Sequence, residues 1–352
     1  NGNDMQAAAL SGDVDIAPGS ITLESVNAYR SIKQNRFVSY DSAGFEHLDL
    51  RVAPVNSTAE AYTGPFAGNS ARARDLRAAF LLAFPREEIL EKVILPIAPH
   101  AKLPQSFLRL EKEEGHDEVA SQSGFISKYS WGDLSRQATA LNLVRKHFPT
   151  ASATNQMVDV RLLYGANNAR RAAIIELAKP ALAKAGFNVI LDVQASWAGL
   201  LTASKHDAYL FAWVKRVGGQ SAYAEYYCTS CANNYLGYSN ETVDRSQKLL
   251  STSLLNSEER IRTHVQLESE LVKDATSLPL FRLPANFSVN SKLANFSPSA
   301  LPENYLWNFW EWTKSSVPTT TSITCFRDDE SRSFLGSICP SSWFTTSAGA
   351  KA

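Results

Sequence analysis

The residues with the clearest chemical potential are two cysteines three positions apart, Cys228 and Cys231. A Cys-x-x-Cys pair supports thiol–disulfide exchange, zinc binding or a local structural disulfide. Redox catalysis needs a first thiol with a lowered pKa, and the neighbouring residues carry no specific sign of one. Zinc binding needs a second close pair, which Cys325 and Cys339 are too far apart in sequence to provide. The pattern favours a disulfide between Cys228 and Cys231, with a thiol oxidoreductase as the alternative.

Other catalytic patterns are missing from the sequence. The six histidines are scattered and show no spacing typical of a metal site. No Gly-x-Ser-x-Gly turn, phosphate-binding loop or paired-carboxylate motif occurs. We therefore predict no catalytic residue, no metal and no cofactor.

Composition restricts the possible partners. The chain has 352 residues, of which 44% are apolar and 20% charged, values that are typical of globular proteins with room for two domains. Lysine plus arginine equals aspartate plus glutamate, 35 each, so the basic surplus expected of a nucleic-acid-binding protein is absent. No apolar run reaches the roughly 20 residues that span a bilayer. We expect any membrane attachment to depend on a tether that this sequence does not contain.

One stretch of the chain predicts an α/β unit. An apolar run at 160–164 is followed by a helical segment that ends at Gly186, and a second run at 187–193 follows at once. Strand, crossover helix and strand in this order form a parallel sheet. A third run, at 207–213, ends in a tryptophan, at the carboxyl end of a strand, where open sheets hold ligands.

Two further local patterns predict elements outside this unit. Apolar alternation at 36–40 and 47–52, with Gly44 between them, predicts two strands separated by a turn. Asn256 and Glu259 have the spacing of a capping box, which predicts the start of a long helix.

Five segments, in order along the chain, resemble the peptide/nickel-type extracellular solute-binding proteins (family 5), the oligopeptide- and dipeptide-binding proteins of ABC transporters. The most specific is Asn-x-x-Gly-Tyr-Ser-Asn-x-x-Val-Asp, at 234–244. The segments are Ser11–Ala17, Gly44–Leu50, Asp75–Ile89, Asn234–Asp244 and Leu278–Phe281. Each motif is weak alone, but five in the family's order indicate a relationship.

The resemblance implies a fold and a domain organisation. We expect an α/β, periplasmic-binding-protein-like fold (type II, cluster C) whose second lobe holds a parallel or mixed sheet flanked by helices. Residues 1–58 correspond to the end of the first lobe, 59–284 to the second, ligand-binding lobe, and 285–314 to a segment that returns to the first lobe. Most of the N-terminal lobe has no counterpart in this sequence. Residues 315–352 are rich in Ser and Thr, and we expect them to form a disordered tail.

The resemblance also implies a function. It predicts a monomeric receptor, and not an enzyme, that closes two lobes around an oligopeptide or similar solute and delivers it to the permease of an ABC importer. Such a receptor works in the periplasm or at the extracellular face of the membrane, either secreted or lipid-anchored through a signal segment that lies outside this sequence. The alternative is a truncated surface protein or degenerate fragment that no longer takes part in transport.

The family places a ligand-lining residue at the end of the third strand, which corresponds here to Trp213. A tryptophan offers a broad apolar face and one N–H donor, although a core tryptophan at the end of a buried strand is the alternative. Peptide-binding members commonly carry an aspartate just after this position, whereas Val214, Lys215 and Arg216 follow here. The basic pair therefore suits an anionic group on the ligand, unless it forms only a solvated turn.

Two asparagines complete the predicted ligand site. Asn233 and Asn234 carry side-chain amides that can donate hydrogen bonds to a ligand backbone. Their alternative role is to stabilise a turn.

Overall fold

The computed structural model describes residues 2–55, 59–111, 113–130, 132–214, 224–298 and 305–315. The α-helices are α1 (Gly2–Ser11), α2 (Leu23–Arg30), α3 (Ala71–Ala83), α4 (Arg86–Ile89), α5 (His116–Gln122), α6 (Phe125–Tyr129), α7 (Asp133–Arg145), α8 (Ala169–Lys184), α9 (Glu241–Thr252) and α10 (Ser257–Asp274). The strands are β1 (Ile16–Gly19), β2 (Asn35–Leu50), β3 (Val158–Gly165), β4 (Phe187–Gln194), β5 (Ala208–Val214), β6 (Ser277–Asn290), β7 (Leu293–Ala294) and β8 (Thr313–Lys314). Single turns of other helix types occur at Leu90–Ile94, Trp197–Leu200, Ala224–Tyr226 and Phe309–Glu311.

The first six strands form one mixed sheet in the order β1-β6-β2-β5-β3-β4. β3 is parallel to both β4 and β5, whereas β2 is antiparallel to β5 and β6. The predicted α/β fold with a parallel or mixed sheet flanked by helices is therefore confirmed. β7 and β8 pair separately.

The crossover helix α8 follows from local signals. The Asn168 side chain caps its first turn by accepting the amide of Arg171. Gly186, with φ of 89°, lets the chain turn directly into β4. Ile174 and Leu182, fully buried on α8, join Phe80 of α3 and Leu162 of β3 in the main core. This packing fixes the carboxyl ends of the parallel strands relative to α8.

The prediction of two strands at 36–40 and 47–52 is wrong. β2 is one strand from Asn35 to Leu50, and its pairing with β6 shifts register between Asp41 and Phe45. Such an irregularity in the pairing bends a strand without ending it. The sequence suggests a turn at this point because Gly44 interrupts the alternation, but β6 pairs with both halves and holds them in one strand.

The predicted capping box is confirmed at the start of α10. The Asn256 side chain accepts the amide of Glu259, and the Glu259 carboxylate accepts the amide of Asn256, at 3.0 and 3.1 Å. Several other sequence predictions lie outside the described residues: the tail beyond residue 315, Cys325 with Cys339, and the basic pair Lys215 and Arg216.

Candidate ligand-binding site

Trp213, the predicted ligand-lining residue, lies at the carboxyl end of β5. On β2, Phe45 is directly opposite it. Trp213 is partly buried, and Val214, which ends the strand, is 47% exposed. β5 therefore brings one large ring and one exposed apolar side chain to the edge where open α/β sheets bind ligands.

Three rings form what we call the aromatic wall: Trp213, Tyr226 and Tyr235. Trp213 stacks on Tyr226 with centroids 4.4 Å apart and planes 8° from parallel, and on Tyr235 at 5.7 Å and 14°. The Tyr226 hydroxyl donates to the carbonyl of Val214 at 3.2 Å. These contacts fix the indole before any ligand arrives, which lowers the entropic cost of binding to it.

A buried polar group lies next to the aromatic wall. His47 of β2, 1% exposed, stacks at 6.4 Å from Trp213, and its Nε2 is 3.3 Å from the Asp49 carboxylate. The Ser277 hydroxyl donates to Asp49 from β6. Burial, and then the charge of Asp49, raise the pKa of the Tyr227 phenol well above its ordinary value, so this hydroxyl stays protonated.

The loop that joins Tyr226 to Tyr235 contains a disulfide. Cys228 and Cys231 are bonded, with their Cα atoms 5.4 Å apart. The Asn234 amide donates to the carbonyls of Cys228 and Tyr238 at 2.9 and 2.7 Å. Asn234 is 6% exposed, so its amide is used within the loop. Asn233 is partly exposed.

The signature segment at 234–244 attaches this loop to the rest of the molecule. The Tyr238 hydroxyl donates to buried Asp274 at 2.8 Å, and the Asn240 side chain caps α9. Gly237 has φ of 64°, and a Cβ there would lie 2.1 Å from the Ala53 carbonyl oxygen. Only glycine fits this close approach without a shift of the backbone. The signature residues thus hold the loop against the segment after β2.

Glu46 of β2 anchors the amino end of α8. This carboxylate is fully buried and accepts from Arg170 and Arg171, each at 2.7 Å. The Arg171 guanidinium also lies 5.4 Å from the centre of the Trp197 ring. Two guanidinium groups share one carboxylate, so this corner of the sheet carries a net positive charge.

Sequence reasoning did not identify Tyr226, Tyr235 or Glu46 as parts of the site. Tyr226 and Tyr235 belong to a loop without regular periodicity, and Glu46 reaches its arginines across more than 120 positions. The only available signal was the aromatic density of the chain around Trp213. Within the described residues, no group of three potential metal-ligating side chains comes together, and no helix combines the length and the apolarity needed to cross a bilayer.

Comparison with known families identifies the relationship. Residues 1–235 match the family described as Bacterial extracellular solute-binding proteins, family 5 Middle. The chain belongs to this family. The predicted resemblance is confirmed, while none of the curated proteins matches the sequence.

Solved structures of similar fold include members that bind different solutes. The periplasmic EDTA-binding protein EppA has a TM-score of 0.69 at 17% identity, over 90% of this chain and 57% of its own. OppA of Haemophilus influenzae in complex with RPPGFSPFR has a TM-score of 0.61 at 17% identity, and the match covers 84% of this chain and 54% of OppA. The oligopeptide-binding protein AppA of Bacillus subtilis, in complex with a nonapeptide, has a TM-score of 0.62 at 14% identity. The match covers 90% of this chain and 59% of AppA. The family 5 chain thus shares their fold and spans between 54% and 59% of their lengths.

Proposed function

We propose that this chain acts as the solute-binding receptor of an ABC importer, and that its ligands are oligopeptides or similar small solutes. The observation that carries the proposal is the preformed aromatic wall at the carboxyl end of β5 in a family 5 chain. A stacked apolar surface suits ligands whose side chains vary, because ring contacts require no matching hydrogen-bond pattern. The receptor binds its ligand without transforming it and needs no cofactor.

The proposal also includes the oligomeric state, location and partners of the receptor. The receptor acts as a monomer in the periplasm or at the extracellular face of the membrane, secreted or attached by a lipid anchor. Its partners are the solute and the permease subunits of the importer. The peptide-bound state of two proteins with this fold, OppA and AppA, supports peptides as the first ligand class to test.

The proposed mechanism is closure of two lobes around the ligand. Residues 1–58 and 285–314 belong to the first lobe, and 59–284 to the second. Residues 44–50 of β2, however, pair with β5 and therefore move with the second lobe, so the first crossing lies at the register shift of β2 and the return crossing at 284–296. The register shift of β2 supports the second crossing, because the regular pairing stops where Asp41 lies opposite Pro284.

Trp213, Val214 and Asn233 contact the ligand in this proposal, together with Lys215 and Arg216, which follow along the chain. Asn234 positions the loop through its buried amide. Residues 214–219, directly after Trp213, include no carboxylate, so the receptor lacks the usual partner for a ligand α-amino group. The basic pair instead favours ligands with an anionic group.

Isothermal titration calorimetry with a pool of short peptides tests the proposal. We expect micromolar or tighter binding, about −8 kcal/mol. Trp213→Ala should weaken it by roughly tenfold or more, as expected for a central aromatic contact. Trp310→Ala is the matched control, because this side chain is 66% exposed and outside the aromatic wall. Absence of binding by the unmodified chain would contradict the proposal and favour the non-transporting alternative.

The charge preference needs a separate experiment. Lys215→Glu combined with Arg216→Glu should reverse the preference between acidic and basic peptides. Unchanged affinities for both would remove the basic pair from the site and leave the aromatic wall as its main feature.

A further inference from the structure

Among the described strands β4 is the outermost of the sheet, and none of them pairs with its outer edge, which we call the open edge. The carbonyl of Gly186 accepts from Met157, and that of Gln194 accepts from Ala166, each at 2.9 Å. Because both groups of a residue in a parallel strand point to the same side, the even-numbered residues of β4 bond to β3. The odd-numbered residues direct their N–H and C=O groups to the open edge. They include Val189, Leu191 and Val193.

The second half of β4 is also uncovered on its faces. Ile190 is 41% exposed, Leu191 36% and Val193 42%. Strands of parallel sheets are normally covered on both faces and therefore buried. Leu191 and Val193 share one face, while Ile190 lies on the other. This end of β4 thus combines unpaired backbone groups with exposed apolar side chains, which is the combination that accepts an added strand.

A groove of about 480 Å³ runs beside β4 on the face of Ile190. His206 lines it and is 4% exposed. Its Nε2 is 2.8 Å from the Asp192 carboxylate, whereas its buried Nδ1 has no hydrogen-bond partner within the part of the chain that the structure describes.

The groove carries a positive charge balance. Arg161 and Lys205 line it with exposed side chains, and neither forms a salt bridge within the described part of the chain. Asp192 is the one carboxylate among the lining residues, and it already bonds to His206. Arg161 lies beside Ile190 in the pairing of β3 with β4, so it lines the groove from the strand next to β4. A negatively charged partner is the electrostatic complement.

We propose that β4 and this groove bind an extended acidic peptide segment by strand addition. The added strand bonds to the outward groups of Leu191 and Val193. On one face its apolar side chains pack against those two residues, and on the other its carboxylates meet Arg161 and Lys205. The partner therefore alternates apolar and acidic residues. This site lies outside the proposed solute cleft and does not depend on it.

Fluorescence anisotropy with a labelled, end-blocked Val-Glu repeat hexapeptide tests the site, with the Val-Lys repeat as a charge control. We expect binding of the acidic peptide alone, weakened by added salt. Leu191→Pro removes an outward N–H but no bond to β3, a position where edge strands accept proline. Leu191→Pro should weaken the affinity for the acidic peptide by roughly tenfold. The matched Leu191→Ala, which keeps the N–H, should weaken it by only about threefold. The solute cleft is itself expected to bind acidic peptides, so both Leu191 variants are also measured in the Trp213→Ala background, where binding in the cleft is weakened. The acidic peptide should still bind to that background, and Leu191→Pro should reduce this remaining binding by the same factor.

Hydrogen exchange measures the same contact without any substitution. The peptide should slow exchange of the amides of residues 189, 191 and 193 and leave the other amides of β4 unchanged. This readout decides the question if Leu191→Pro does not fold. Unchanged binding by a folded Leu191→Pro variant, equal binding of both peptides, or unaltered exchange would overturn the proposal. Concentration-dependent dimerisation that Leu191→Pro abolishes, with no peptide binding, would assign the edge to a second copy.

Discussion

The fully buried Glu268 of α10 gives the sharpest test of the physical reasoning. One carboxylate oxygen accepts from the Ser106 hydroxyl at 2.5 Å and from the amides of Phe107 and Leu108 at 3.2 and 3.1 Å. The other oxygen accepts from the Ser123 hydroxyl at 3.2 Å. Burial raises the pKa of Glu268 from 4.5 to about 7, against the opposing effect of these hydrogen bonds. The effect of desolvation on the pKa of Glu268 therefore outweighs the opposite effect of four hydrogen-bond donors.

The raised pKa makes stability depend on pH in a defined direction. The folded state binds the proton more tightly than the unfolded state, so this contribution is complete below pH 4.5 and is lost as pH rises through about 7. At about 1.4 kcal/mol per pKa unit, the loss is about 3 kcal/mol. Glu268→Gln removes the titration and keeps the shape, because the amide oxygen can accept the three donors around Ser106.

Urea unfolding followed by tryptophan fluorescence between pH 4 and 8 measures this effect. The free energy of unfolding of the unmodified chain should fall by about 3 kcal/mol relative to Glu268→Gln across that range. Glu258→Gln is the matched control on the same helix, since its side chain is 84% exposed, and it should track the unmodified chain. A constant difference between the Glu268→Gln variant and the unmodified chain at every pH would show that the hydrogen bonds keep Glu268 ionised throughout.

Three further substitutions test other parts of the structure, each by urea unfolding. Gly237→Ala should lower the free energy of unfolding by more than about 2 kcal/mol, because the left-handed backbone and the nearby Ala53 carbonyl both oppose a Cβ. A decrease below about 0.5 kcal/mol would contradict the close approach. Cys228→Ser combined with Cys231→Ser should lower the free energy of unfolding by about 2 kcal/mol under oxidising conditions, as expected for so short a loop. If the unmodified chain were equally stable with and without a reductant, this prediction would be wrong. Glu46→Gln should lower the free energy of unfolding by about 3–5 kcal/mol, because it leaves the buried guanidinium of Arg171 and the partly buried guanidinium of Arg170 without a counter-charge. An unchanged free energy of unfolding would show that solvent compensates them.

The elements that depend only on neighbouring residues could be predicted from the amino-acid sequence. The capping box of Asn256 and Glu259 joins residues three positions apart, and the glycine at 186 ends α8 at the point where its backbone turns. The order of strand, helix and strand at 158–194 gave the parallel pairing, because a crossover helix permits little else. The family motifs gave the fold class for the same reason: each lies within one short segment.

The tertiary structure alone decided how distant segments combine. β2 is one strand because β6 pairs with both of its halves, although the local pattern around Gly44 suggests a turn. The aromatic wall exists because a loop places Tyr226 and Tyr235 against Trp213, and no periodicity along the chain encodes that contact. The positive corner at Glu46 and the open edge of β4 likewise depend on which strands become neighbours. Such contacts form between residues far apart in sequence, where packing and burial, and not local preference, set the free energy.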